Sequence, residues 1–381
     1  MNAEEECFVL GVESPTTLLT HMAFYGLASI LEAEPSINLR LAWTGGMTPQ
    51  PCLSGVGLSE EKIGEVVTKH AQALSNKGAW PSKRVELFVM RKGEPAIADL
   101  GLMSPRIATI FDWMNRDSFQ KNVIAISKLM IPRIATIFDW RNWSSLQRKR
   151  WSVLNDLTEK RSWVDLRLLW SLGEPCYWRL NSKGEETQDY GSSRLEMQPR
   201  NRGAEIVTSR FKPLTKHVGE RPPEDVVKAL RGEIVNDERG ENKPDSRSAT
   251  GFRGLGPVDD VVAWCALWGI SQFPLSLSTR KVATTAGHLG SPSGDNFYVP
   301  VWQGAWTPSR LRTIIASRQL REFAKHAVDE QAQEAIFVAS ERWLVARGIQ
   351  AVITFPIKIY GSANAPERRA QQGIIHKLGE N

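Results

Sequence analysis

The side chains able to do chemistry in this 381-residue chain are scattered rather than grouped. Asp112, Asp139, Asp259 and Asp260 are the acids that a dispersed, metal-dependent hydrolytic site would draw on. Asp112 and Asp139 fall at the same place in two identical nonapeptides, each with an Arg six residues earlier. A helix-surface acid near an Arg is the commoner meaning of that arrangement. The six histidines, His21, His70, His217, His288, His326 and His376, show no H-x-x-x-H spacing and none adjoins an Asp, so no local metal signature is present. His21 lies in an apolar helix and reads as a satisfied core histidine. Cys7, Cys52, Cys176 and Cys265 are far apart, which excludes a C-x-x-C zinc pair and a small disulfide scaffold. Isolated cysteines of this kind suit a reducing cytosol. There is no Walker loop and no G-x-G-x-x-G between a strand and a helix. Gly251-Phe-Arg-Gly254-Leu-Gly256 is a glycine-rich turn, and in Gly290-Ser-Pro-Ser293-Gly294 a proline stands where a nucleophile elbow needs serine. The expectation is a protein without catalytic residues, metal or cofactor.

The cations are better organised. Lys and Arg number 48 against 42 Asp and Glu, a net charge of +6, which favours polyanionic partners without requiring them. Seven of the 14 tryptophans lie between Trp113 and Trp178. Basic residues are interleaved among them, as in Trp140-Arg141, Arg148-Lys149-Arg150-Trp151, Arg161-Ser162-Trp163 and Trp178-Arg179. Bases stack on aromatic faces while Lys and Arg meet phosphates, so this pattern suits single-stranded or distorted nucleic acid. For most of these tryptophans, core filling is the commoner role. A second basic stretch runs from Arg194 to Lys216 and includes Arg200, Arg202, Arg210 and Lys212; it is partly loop, a form suited to tracking a phosphate backbone. A third lies in a helix expected over 307–325, with Arg310, Arg312, Arg318, Arg321 and Lys325. The expected nucleic-acid contacts are Arg148, Lys149, Arg150, Arg200, Arg202, Arg210, Lys212, Arg310, Arg312 and Arg318.

These side chains need a scaffold, and the chain is long enough for two or three lobes. Cys7–Leu10 reads as a short strand. Ser14 as N-cap and Pro15 at the first helical position predict a buried helix to about Glu34. Residues 38–43 alternate as a strand, a polar helix follows near 59–75, and a strand lies at 85–90. Pro105-Arg-Ile-Ala-Thr-Ile-Phe-Asp-Trp113 recurs identically as Pro132-Arg-Ile-Ala-Thr-Ile-Phe-Asp-Trp140, an offset of 132 − 105 = 27 residues. Two copies are too few for a solenoid and point to a local duplication over 105–147 that adds a helical hairpin. Residues 232–253 are polar, glycine-bearing and nearly free of apolar side chains, and read as a flexible linker. Beyond it, Pro257–Trp268 is a helix with an acidic first turn. Further strands are expected over 277–284, 297–302 and 350–360, and a last helix over 334–346. The uncharged run 261–279 is broken by Gly269, Gln272 and Pro274 and reads as a core helix, not a membrane span. The acidic start, Met1-Asn-Ala-Glu-Glu-Glu6, lacks the positive region of a secretory signal. The resulting expectation is a cytoplasmic α+β protein, with mixed sheets, packed helices and no membrane contact. Its N-terminal lobe is 1–231 and its C-terminal lobe 254–381, separated by the polar linker.

Three stretches carry a resemblance: Gly11-Val-Glu-Ser-Pro-Thr-Thr-Leu-Leu-Thr-His-Met-Ala-Phe-Tyr-Gly-Leu-Ala-Ser-Ile-Leu31, Ala266-Leu-Trp-Gly-Ile-Ser-Gln-Phe-Pro-Leu275 and Ser362-Ala-Asn-Ala-Pro-Glu-Arg-Arg369. Together they resemble the divergent large-subunit and accessory proteins of type I CRISPR interference (Cascade) complexes. The resemblance implies a non-enzymatic, antiviral role in an RNA-guided assembly with guide RNA, target DNA and other effector subunits as partners. Such a subunit inspects the flank of a DNA target, helps open the duplex and helps recruit a nuclease-helicase, while guide pairing reads the rest. A dispersed-site nuclease and a scaffold without nucleic-acid contact are the competing classes.

Overall fold

The computed structural model describes residues 7–76, 79–82, 84–91, 94–101, 152–153, 155, 163–173, 178–180, 186–188, 193–197, 206–247, 250–277, 283–291, 294–329, 334–362 and 365–379. The duplicated segment 105–147 lies outside them, with Asp112 and Asp139.

The helices are α1 (Leu18–Leu31), α2 (Glu60–Ser75), α3 (Trp163–Leu172), α4 (Lys212–Glu220), α5 (Pro223–Leu230), α6 (Asp260–Gly269), α7 (Pro308–Ile315), α8 (Arg318–Val328) and α9 (Glu334–Val345). A π-helical turn, Ile206–Phe211, leads into α4. Three strands form an antiparallel sheet near the start: β1 (Phe8–Val9), β2 (Asn38–Trp43) and β3 (Pro51–Val56), in the order β1-β3-β2. Three hairpins follow: β4 (Arg84–Arg91) with β5 (Glu94–Gly101), β6 (Trp178–Leu180) with β7 (Glu186–Gln188), and β8 (Leu275–Leu277) with β9 (Ala283–Thr285). The main sheet holds β10 (His288–Ser291), β11 (Gly294–Trp302), β12 (Ile349–Ser362), β13 (Ala365–Ala370) and β14 (Ile374–Lys377). β13 pairs with the second half of β12, and β14 pairs with its first half. The fold is α+β, but its sheets are not mixed: every described strand pair is antiparallel. Short connections such as those between β10 and β11 or β12 and β13 permit only that sense.

The centre of the molecule is the crossing of α1 and α6. All 14 residues of α1 and all ten of α6 are buried. A helix that is apolar all round can only be accommodated in the interior. Two glycines set the approach. A Cβ at Gly26 would lie 1.7 Å from the carbonyl oxygen of Cys265, and one at Gly269 would lie 2.3 Å from that of Met22. No other residue leaves room for backbones this close.

This crossing changes the expected domain plan. α1 belongs to the proposed N-terminal lobe and α6 to the C-terminal one, yet both contribute to a single hydrophobic cluster that runs from Phe8 to Leu378. The first sheet is also tied to the segment that follows β11, because Leu41 of β2 and Trp306 exchange backbone hydrogen bonds of 2.8 Å in both directions. The stretch 232–253 therefore does not separate two lobes. Asp237 accepts hydrogen bonds from the Gly240 N–H and the Ser246 hydroxyl, Asn236 donates its N–H to Asp259, and Phe252 is fully buried. Its polar residues bond to one another and to α6, which compensates for the lack of apolar surface.

Local signals placed several elements, but the strand expected over 277–284 is the hairpin of β8 and β9, and two helix readings differ. Ser14 and Pro15 form a turn ahead of α1, and Thr17 is the N-cap. The expected helix over 307–325 is two helices, because Ser317 adopts extended backbone and caps α8 through its hydroxyl. Ser59 caps α2 and Asp259 caps α6. His21 is fully buried, with Nε2 2.8 Å from the Pro15 carbonyl and Nδ1 3.3 Å from the Tyr25 hydroxyl. Cys7 and Cys52 are joined as a disulfide, contrary to the expectation of isolated thiols; the β1–β3 pairing brings them together across 45 residues. Among the described residues, no helix is long and apolar enough to cross a membrane.

Candidate nucleic-acid interface

The basic residues singled out from the sequence meet different fates. Arg148, Lys149, Arg150, Arg200 and Arg202 lie outside the described residues. Arg210 lies in the π-helical turn and is half-buried; burial, reinforced by the nearby charge of Arg239, lowers its pKa. Lys212 stands exposed at the first position of α4. Arg310 is exposed, stacks 4.7 Å over the buried Trp306 ring and donates to the Arg347 carbonyl at 2.9 Å. Arg312 is turned inward. It donates to both carboxylate oxygens of Glu32, at 2.7 and 2.9 Å, and Arg167 of α3 reaches the same carboxylate at 2.8 Å. Burial works to raise the pKa of Glu32, but hydrogen bonds from Arg312 and then Arg167 outweigh it and hold the carboxyl below the usual range. Arg312 is thus a structural cation, because a partly buried carboxylate requires one.

Arg318 has the opposite environment. It opens the first turn of α8 with its side chain 75% exposed and Glu322 at 3.7 Å. Arg318, Arg321 and Lys325 follow i, i+3, i+7 spacing and so share one helix face. All three line a cavity of about 610 Å³, together with Thr285 and Tyr298. Ser317, at the N-terminal end of α8, also lines it, so the positive end of the helix dipole opens there. Glu322 and Asp329 line it too, leaving cations in excess by three to two. The extended Ser317 ends the first helix and starts α8, so the basic stretch is split between two helices. Arg321 and Lys325 belong to the basic helix expected from the sequence but not to the expected contacts; their i+3 and i+7 relation to Arg318 is the signal that picks them out.

The tryptophans divide in the same way. Trp264, Trp268, Trp302 and Trp306 are buried. Within the Trp-rich region, the two whose side chains are described are not core: Trp163 is 46% exposed and Trp170 52%. The Arg167 guanidinium lies 3.6 Å from the Trp163 ring centre. Core filling, expected for most of this group, does not hold for these two.

The remaining acids gather elsewhere. Asp259 accepts two hydrogen bonds from Arg221, at 2.7 and 2.9 Å. Asp260 is 1% exposed and lies 2.8 Å from His217 Nδ1; burial pushes its carboxyl up to about 6, against the pull of His217. Sequence spacing could not pair His217 with an acid 43 residues away.

Comparison with protein-family models, curated proteins and solved structures returned no match.

Proposed function

We propose that this protein is a non-catalytic, nucleic-acid-binding subunit of an RNA-guided type I CRISPR interference complex. In that role it contacts guide RNA or the flank of target DNA and helps recruit a nuclease-helicase. The observation that carries the binding part is the row Arg318, Arg321 and Lys325 along the cavity wall. At about 1.5 Å of rise per residue the three cations span roughly 10 Å, an axial length of about three base-pair steps of a duplex. The resemblance of residues 11–31, 266–275 and 362–369 to large-subunit proteins supports the assembly part. The first two of these stretches contain α1 and the end of α6, whose crossing at Gly26 and Gly269 forms the core. In the third, Arg368 is buried and donates to the Glu196 carbonyl. These stretches speak for a shared scaffold, and the cationic row supplies the contact.

The test is binding of short single-stranded and duplex DNA and RNA across a salt titration, for the protein alone and in a guide-loaded complex. Affinity should fall linearly with the logarithm of salt, because each phosphate contact releases counterions. The triple variant R318A/R321A/K325A should weaken binding to all sequences alike and flatten the slope by up to about three contacts. Absence of any binding in both settings would overturn the proposal, and an unchanged slope would remove this cavity from it.

A further inference from the structure

Three metal-ligand side chains converge from three separate segments beside Arg221. His217 is in the last turn of α4, Glu238 in the loop after α5, and Asp260 at the first position of α6. His217 Nδ1 lies 2.8 Å from Asp260 Oδ2 and 3.4 Å from Glu238 Oε2. All three ligand atoms lie within 4.8 Å of one another. Two donors each about 2.1 Å from one metal ion are roughly 3.0–3.4 Å apart at octahedral or tetrahedral angles. Two edges of this triangle are thus close to the size of a coordination polyhedron.

Hydrogen bonding alone does not account for the arrangement. One imidazole nitrogen carries at most one proton, enough for one of the two carboxylates that face it. The surrounding charge is unbalanced in the same sense. Asp237, Glu238, Asp259 and Asp260 are neighbours here, and the guanidinium of Arg221 is committed to Asp259. Asp237 is bonded by the neutral Ser246 hydroxyl and Gly240 N–H, which add no positive charge. A carboxylate as enclosed as Asp260 needs a compensating cation more than an exposed one does. A dication between His217, Glu238 and Asp260 would supply it.

We propose that His217, Glu238 and Asp260 bind one divalent metal ion of the zinc–manganese class, which ties the loop 232–247 to α4 and α6. One imidazole and two carboxylates make a mixed nitrogen–oxygen set, which suits Zn²⁺ or Mn²⁺; Ca²⁺ and Mg²⁺ favour oxygen alone. Glu238 is 47% exposed and His217 24%, so an ion can enter from the surface. Three protein ligands leave at least one position for water.

The experiment needs no nucleic acid and is therefore independent of the function proposed above. The full chain is stripped with a chelator and titrated calorimetrically with ZnCl₂, MnCl₂, MgCl₂ and CaCl₂, with the thermal midpoint followed in parallel. One equivalent of Zn²⁺ should bind and raise the midpoint, with Mg²⁺ and Ca²⁺ binding more weakly. H217A should abolish this site. E238Q alters an exposed loop side chain, so it tests the site even where H217A fails to fold, and it should weaken Zn²⁺ binding by about 10-fold or more. A parent chain that binds neither Zn²⁺ nor Mn²⁺, an E238Q variant with parental affinity, or a preference for Mg²⁺ over Zn²⁺ would each overturn the proposal.

Discussion

Helix α7 turns Arg312 inward onto Glu32, whereas α8, two residues after α7 ends, turns Arg318, Arg321 and Lys325 toward a cavity. The two helices are adjacent in the chain and similarly basic. One cation is fully occupied by a carboxylate fixed at the end of α1, while the others face a concave surface with fewer anions than cations. The difference shows that a run of arginines has no single meaning. What each guanidinium does is set by whether the fold delivers a buried anion to it. Only the second kind is available to a phosphate.

The contrast is broken most sharply at Glu32. Its removal in E32A leaves Arg167 and Arg312 close together without their shared anion, and unfolding free energy should drop by about 3 kcal/mol, measured by denaturant titration. Loss well below that, about 0.5 kcal/mol or less, would show that Arg312 is as free as Arg318.

The buried side of the comparison also carries a pH dependence. α1 encloses His21 between the Pro15 carbonyl and Tyr25, and burial lowers its pKa from 6.5 to about 4. The unfolded chain takes up a proton at a pH where the folded chain does not. Stability is therefore unaffected above about pH 6.5 and lost as pH falls through the window from 6.5 to about 4. The loss from this group should reach about 2–3 kcal/mol by pH 4. H21Q, compared with the parent at neutral and acid pH, should flatten that part of the profile; parallel profiles would show that His21 takes up its proton equally readily in the folded and the unfolded chain.

A smaller effect sharpens the contrast directly. R312A should cost about 1–2 kcal/mol, because Arg167 still pairs with Glu32. R318A should stay within about 0.5 kcal/mol, since its side chain is exposed. Equal costs for the two would erase the distinction between the helices.

The elements themselves were largely legible along the chain. Residues 38–43, 60–75 and 349–362 form strand, helix and strand close to where pattern and capping residues place them. The enclosed character of α1 and α6, and the core role of His21, also followed from apolar residues on every face. Such features depend on neighbours within a few positions, so composition and spacing specify them. The candidate site was only half legible. The basic composition of 310–325 was plain, but the break at Ser317, capped by its hydroxyl, splits the stretch into two helices.

Long-range partners were decided by tertiary structure alone. Arg312 meets Glu32 across 280 residues, and His217 meets Asp260 across 43. Two glycines, unremarkable in the sequence, let α1 and α6 approach until residues before and after 232–253 share one core. Cys7 and Cys52 meet only because β1 and β3 pair. Local propensity acts through the backbone over one or two turns, whereas charge pairing and close packing act through space. The residue types and their local periodicity therefore determine which helices and strands form and which of them are enclosed. Which charges are neutralised, and which stay free to meet a phosphate or a metal, is settled only when the helices are packed.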